Sequence, residues 1–264
     1  MEKAVNEIAK ILANGKAVNS HIPSIILEEN FDVKSLESLQ ENPSRIRTKV
    51  SVSSEKSFIE YVNKFKIDGT SIFYDLEKLE AKAVFDYHSS PSNPKWGDHI
   101  ASYHFKKSKD WNAWERKDKE QMDQNQIEFG AFLERNIHTI AADGNIVSGA
   151  ELLAMVLAFE ETRKSEFKSA HRLQDGTLSF TYTDEQSGGK TRLPEEIVLG
   201  IQPFHNGDYY QVKAKIRYRI RDARLSLWYE LINPEKVIED AFNTSIENLQ
   251  KNIEKVDFFE ASLS

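Results

Sequence analysis

Between Tyr210 and Arg221 the chain reads Y-Q-V-K-A-K-I-R-Y-R-I-R, a run that alternates with a period of two. An extended strand places Tyr210, Val212, Ala214, Ile216, Tyr218 and Ile220 on one side. The other side then carries Lys213, Lys215, Arg217, Arg219 and Arg221 as an unbroken cationic row. Its members are about 7 Å apart, because alternate strand residues advance by twice about 3.4 Å. Such a segment defines one buried and one solvent-facing side of a sheet.

The row has two readings. It can contact phosphates, for which Arg offers bidentate geometry and Lys a point charge. Alternatively it pairs with acids on adjoining strands or on a neighbouring subunit, and Asp184, Glu185, Glu195 and Glu196 are close in sequence. The whole chain holds 42 Asp and Glu against 35 Lys and Arg, a net charge of -7. That balance argues against a general nucleic-acid coat and confines any anion binding to a local patch. The strand itself carries no aromatic residue on its charged side, which a single-strand binder would use for stacking. Sequence alone therefore favours the pairing reading.

With 264 residues, 39% of them apolar, the chain can bury a core as one large or two small domains. It lacks cysteine, which excludes disulfides, thiolate nucleophiles and Cys-based metal sites. No G-x-S-x-G elbow is present. Gly188-Gly189-Lys190-Thr191 resembles the end of a phosphate loop, but Asp184 stands where such a loop needs its first glycine, and Pro194 follows instead of a helix. No catalytic constellation emerges, and no cofactor is expected. Met1–Lys16 has no continuous apolar stretch and no segment approaches 18 apolar residues, so the expected setting is the cytoplasm, without a membrane partner.

The expected class is α+β, with a mixed strand-helix N-terminal half and an antiparallel β-meander in the C-terminal half packed with amphipathic helices. Val5, Ile8, Ile11 and Leu12 recur at helical spacing, which predicts an N-terminal helical arm over 1–20. A single α+β domain is expected over 21–264, divisible into lobes 21–163 and 164–264. A helix is predicted from Ser53 or Ser54 through Phe65, then strands at 70–75, 81–88 and 100–106. Trp111 and Trp114 share one face of a short helix and are expected in the core, although Lys106, Lys107, Lys109, Arg116 and Lys117 surround them. Asp123 with Gln126, and Ser148 with Glu151, have capping-box spacing ahead of two apolar helices. Asp175-Gly176 and Asn206-Gly207 predict hairpins, the first flanked by strands at 164–173 and 178–183, giving a meander of about five strands ending at 225–231. Asn233-Pro234-Glu235 opens a last helix. Trp228 is expected to pack on the face carrying Val212, Ile216 and Tyr218.

The runs S-F-I-E-Y-V (57–62), W-G-D-H (96–99), F-K-S-A-H-R-L (167–173), the K-I-R-Y-R-I-R row and W-Y-E-L-I-N-P-E-K-V-I-E-D-A-F (228–242) resemble the YfdQ-like family of phage and prophage proteins. The resemblance covers about residues 30–245. It implies a phage-encoded origin and transfers no catalytic residue.

Three histidines invite a metal test. His88, His99 and His104, with Asp86 and Asp98, fall on neighbouring segments, but no ligand spacing such as H-E-x-x-H joins them. Trp96, Asp98 and His99 are more simply read as anchors of a Pro-rich loop, with Trp96 as apolar plug and the other two bonding backbone groups. The functional expectation is a non-enzymatic, homo-oligomeric protein that acts by assembly and binding, its partner being itself or a host protein. The alternatives are a nucleic-acid- or nucleotide-binding counter-defence or recombination-associated module, and a metal-dependent hydrolase or nuclease.

Overall fold

A computed structural model describes residues 16–18, 24–26, 40–115, 124–142, 147–170, 193–221 and 224–263. The expected N-terminal helix, the Asp175-Gly176 hairpin and Gly188–Thr191 lie outside the described residues. The chain divides into two units, Met1–Arg47 and Thr48–Ser264. In the first, β1 (Lys16–Val18) and β2 (Ser24–Ile26) pair antiparallel, with Lys16 opposite Ile26.

The second unit contains two sheets, each covered by helices on one side. The first is built from β3 (Lys49–Val52), β4 (Ser71–Asp75), β5 (Glu80–Val84), β6 (Ile100–His104) and β10 (Asp257–Glu260), in the order β10-β4-β5-β6-β3. Its three inner strands pair antiparallel, and both edge strands join parallel. One face presents Ile72, Ala81, Ala83, Ala101 and Tyr103, with Phe85 and Phe105 just beyond the strands. Against it lie α1 (Glu55–Phe65), through Phe58 and Val62, and α5 (Pro234–Asn252), through Ala241, Phe242, Ile246 and Leu249. The alanines at the sheet centre leave room for these larger side chains, each worth about 1.5–3 kcal/mol when buried.

Local chemistry sets the ends of α1. Ser54 Oγ accepts from the Ser57 backbone N–H, and at the other end Lys66 turns to extended backbone while its N–H still donates to the Val62 carbonyl. Gly69 has φ +85°, and a Cβ there would meet the Tyr87 carbonyl oxygen at 2.9 Å, so glycine is required. In α5, Pro234 occupies the first helical turn, where its missing N–H costs nothing.

The second sheet is antiparallel, in the order β7 (Glu196–Ile201), β8 (Tyr210–Arg221), β9 (Arg224–Leu231). Its covered face includes Ile197, Leu199, Val212, Ala214, Ile216, Leu227 and Tyr229. Packed on it are α2 (Lys109–Trp114), α3 (Gln126–Arg135) and the first part of α4 (Gly149–Ala170). Trp111 and Trp114 are fully buried there, as the i, i+3 spacing predicts. Tyr229 donates its hydroxyl to the Trp114 carbonyl at 2.8 Å, and the Trp114 indole donates to Thr139 Oγ1 at 2.9 Å, whereas the buried Trp111 indole N–H meets no acceptor among the described residues. Tyr210 and Ile238 pack against both cores and join them.

Several expectations are corrected. Residues 164–170, read as a strand, continue α4, whose E-E-T-R-K-S-E-F-K-S-A stretch is rich in good helix formers. The antiparallel sheet has three described strands. The cap of α3 is Asn125, whose Oδ1 accepts from Glu128 N while Glu128 returns a bond to Asn125 N; Asp123 has the same spacing two residues early. Ser148 and Glu151 form the expected box ahead of α4. The strands β3 and β10 have no counterpart among the sequence expectations.

Candidate functional site

Register determines what each charge on β8 meets. Lys215 faces Glu196 of β7 on one side and Glu230 of β9 on the other. Lys213 faces Val198, Arg217 faces Trp228, Arg219 faces Ser226, and Arg221 faces Arg224. This outer face therefore gathers Lys213, Lys215, Arg217, Arg219 and Arg224 with the carboxylates Glu196 and Glu230.

Around Trp228 the contacts are specific. Arg217 Nε lies 3.3 Å from Glu230 Oε2, and the Trp228 indole N–H donates to Glu230 Oε1 at 3.3 Å. Those two bonds, the indole's first, hold the Glu230 carboxyl below the usual carboxylate range, with the Arg217 and Lys215 charges assisting. The Arg219 guanidinium stands 5.9 Å from the centroid of the Trp228 ring, within cation–π reach. Glu230 thus orients the indole and one guanidinium, and the ring carries a second. Both carboxylates, Glu196 and Glu230, stand opposite Lys215 in the register.

The expected burial of Trp228 with Val212, Ile216 and Tyr218 is overturned. Leu227 and Tyr229 are buried inward, and Trp228, one residue out of phase with them, belongs to the cationic face. Strand alternation in L-S-L-W-Y-E-L already contained that signal, but the indole's apolar bulk obscured it. Tyr218 lies on the inner face by phase and is 48% exposed, packing edge-on against Phe159 at 5.1 Å. Of the acids considered as partners, Glu196 is placed beside the row, and Asp184 and Glu185 lie outside the described residues. The other basic cluster separates: Trp111 and Trp114 enter the core, Lys107 pairs with Glu115 at 2.6 Å, and Arg116 and Lys117 lie outside the described residues.

The loop residues take different parts from those expected. Trp96 is 76% exposed and plugs no core. The carboxylate of Asp86 binds the loop, accepting from the backbone N–H groups of Asp98 at 3.1 Å and His99 at 3.0 Å. The His99 ring is buried among Tyr61, Phe65 and Phe85, with Nε2 3.0 Å from the Tyr61 hydroxyl. Burial pushes its imidazole below the ordinary histidine range, against the pull of Asp86. His88 Nδ1 accepts from Lys95 N at 3.1 Å, and His104 Nε2 lies 3.3 Å from Glu80. The three histidines thus occupy separate environments. Among the described residues, no group of three or more His, Asp and Glu side chains is set to hold a metal ion. Among them, too, no helix is long and apolar enough to cross a membrane.

No curated protein and no solved structure matches the chain. A family model described as "Uncharacterized conserved protein (DUF2303)" matches residues 1–260. The chain belongs to that family.

Proposed function

We propose that this protein binds a single-stranded nucleic acid across the outer face of its three-stranded sheet, without catalysing a reaction on it. The observation that carries the reading is Trp228 on the cationic face, directly opposite Arg217 and within cation–π distance of Arg219. The sequence case against nucleic acid rested on the net charge of -7 and on the absence of an aromatic from β8; the neighbouring strand supplies the aromatic. Arginines contact phosphates while an indole stacks a base, and each stacked base contributes about 1–3 kcal/mol. The phage or prophage origin, the cytoplasmic setting and a counter-defence or recombination-associated role belong to this proposal.

Fluorescence anisotropy with a labelled single-stranded DNA oligonucleotide, titrated at several salt concentrations, tests it. Affinity is expected to fall steeply with salt, with each phosphate contact contributing about 0.7 to the log–log slope. Arg217→Gln with Arg219→Gln is expected to flatten the slope by about 1.4. Trp228→Ala is expected to weaken binding about tenfold at unchanged slope. Absence of binding at low salt sinks the reading.

A second reading, homo-oligomeric assembly through the same face, is favoured by the charge balance. The chain is acidic overall, and setting aside this face leaves the remainder more acidic still, so another copy offers a complementary surface. Native mass measurement across micromolar concentrations separates the two readings. A monomer that binds DNA supports the first, whereas an oligomer dissociated by the double Arg substitution supports the second.

A further inference from the structure

A cleft of about 580 Å³ opens between the first turn of α1, the middle of α5 and the turn at 204–207. Tyr103, Phe105 and Phe204, all buried side chains, line it with aromatic surface. Serines and asparagines form much of the rim, among them Ser245 and Asn248. Its volume lies within the range of about 300–1,000 Å³ usual for small-molecule sites.

The charge of the cleft is distinctive. Glu55 is partly buried in its wall and accepts a hydrogen bond from the Asn248 side-chain amide. Lys56 and Glu60 also line the cleft and pair with each other at 3.9 Å, and among the described residues no cation forms an ion pair with Glu55. Burial first, and then repulsion from Asp208, raise the Glu55 carboxyl above its ordinary range. Burial, aided by the Glu55 charge, likewise pushes the Tyr103 phenol up to about 12. The α1 N-terminus gives an anion little purchase, because Ser54 already accepts from the Ser57 N–H and Glu55 occupies the first turn. A carboxylate lacking a cation beside an aromatic floor matches the two requirements of an organic cation, a counter-ion and a π-surface.

We infer that this cleft binds an ammonium or guanidinium group of a small organic cation, with Glu55 as its counter-ion and Tyr103, Phe105 and Phe204 beneath it. Asn248 orients the carboxylate. The site shares no residue with the cationic sheet face, so it stands or falls separately from nucleic-acid binding.

Titration calorimetry on the full chain tests the inference, using argininamide and spermidine as guanidinium and ammonium probes and citrulline amide as the uncharged counterpart of argininamide. At least one cation is expected to saturate at one per chain, with citrulline amide at least about tenfold weaker than argininamide if the guanidinium is bound. Glu55→Gln, which keeps the shape and removes the charge, is expected to weaken the bound cation by at least about tenfold. Ser245→Trp, which fills the cleft from α5, is the second variant and is expected to abolish binding while the melting transition stays cooperative. No saturation by either cation up to about 10 mM overturns the inference. So does retention of full affinity in both variants, or, where argininamide is the cation bound, equal affinity for citrulline amide.

Discussion

The two sheets of the Thr48–Ser264 unit treat the faces turned away from their helices in opposite ways. On the five-stranded sheet, charges of both signs meet. Buried Glu80 lies 3.2 Å from Lys82 and 3.3 Å from His104, and Lys82 also donates to the Leu263 carbonyl at 3.3 Å. Lys78 pairs with Asp75 at 3.8 Å and bonds Ser262, while Ala261 N donates to Tyr74 O at 3.0 Å, holding residues 261–263 near these lysines. On the three-stranded sheet, by contrast, one strand presents cations only, and its two facing carboxylates cluster at a single position. Like charges at alternate positions of one strand favour a polyanion or an acidic surface as the partner of that face.

The largest expected effects lie beneath the sheets, where the two regions resemble each other. Phe58→Ala under the five-stranded sheet and Trp114→Ala under the three-stranded one each remove a fully buried aromatic and are expected to cost about 3–5 kcal/mol. That corresponds to a melting temperature lower by roughly 6–20 °C. Because Tyr210 and Ile238 bridge the cores, each variant is expected to melt in one calorimetric transition. Two resolved transitions would break the claim that the sheets share one cooperative unit.

The contrast appears in the second tier. Glu80→Ala strands Lys82 and His104 beside a buried gap and is expected to cost about 1–3 kcal/mol by urea denaturation. A loss under about 0.5 kcal/mol would mean that the mixed-charge face is as dispensable as an ordinary surface.

Near neutral pH an effect is expected on the five-stranded side. His99 titrates below its unfolded value near 6.5, so both states are neutral above that pH and the histidine adds no pH dependence there. Below it the unfolded chain takes the proton first, and stability is lost as pH falls until the lowered native value is passed. Melting followed from pH 7.5 to 5 is therefore expected to drop further in the parent than in His99→Gln. Equal slopes would remove His99 as a buried neutral group.

These regions also differ in how far sequence revealed them. The phase of β8 was legible because twelve residues of strict alternation admit one geometry, and α5 because its apolar spacing follows an N-terminal proline. The strands β3 and β10 were not. Each has four residues, and each pairs parallel with a strand remote in sequence, so local pattern and turn chemistry say nothing of the pairing. The cleft was equally hidden, since Glu55 and Asn248 meet only when α1 and α5 pack together. Trp228 was a different failure: period two assigned it to the outer face, and hydrophobicity was allowed to override the period.

The smallest expected effect on stability is the most discriminating. Arg217→Gln with Arg219→Gln removes one exposed pairing with Glu230 and a cation–π contact, which are worth little at a solvated surface. It also removes like-charge repulsion along β8, which acts in the opposite direction. The two terms nearly cancel, so the change is expected to lie within about 0.5 kcal/mol by urea denaturation, even as the salt slope of DNA binding flattens. A loss above about 1 kcal/mol would show that the row is held by its acidic neighbours as firmly as Glu80 is held by Lys82 and His104, and would transfer the face from binding to architecture.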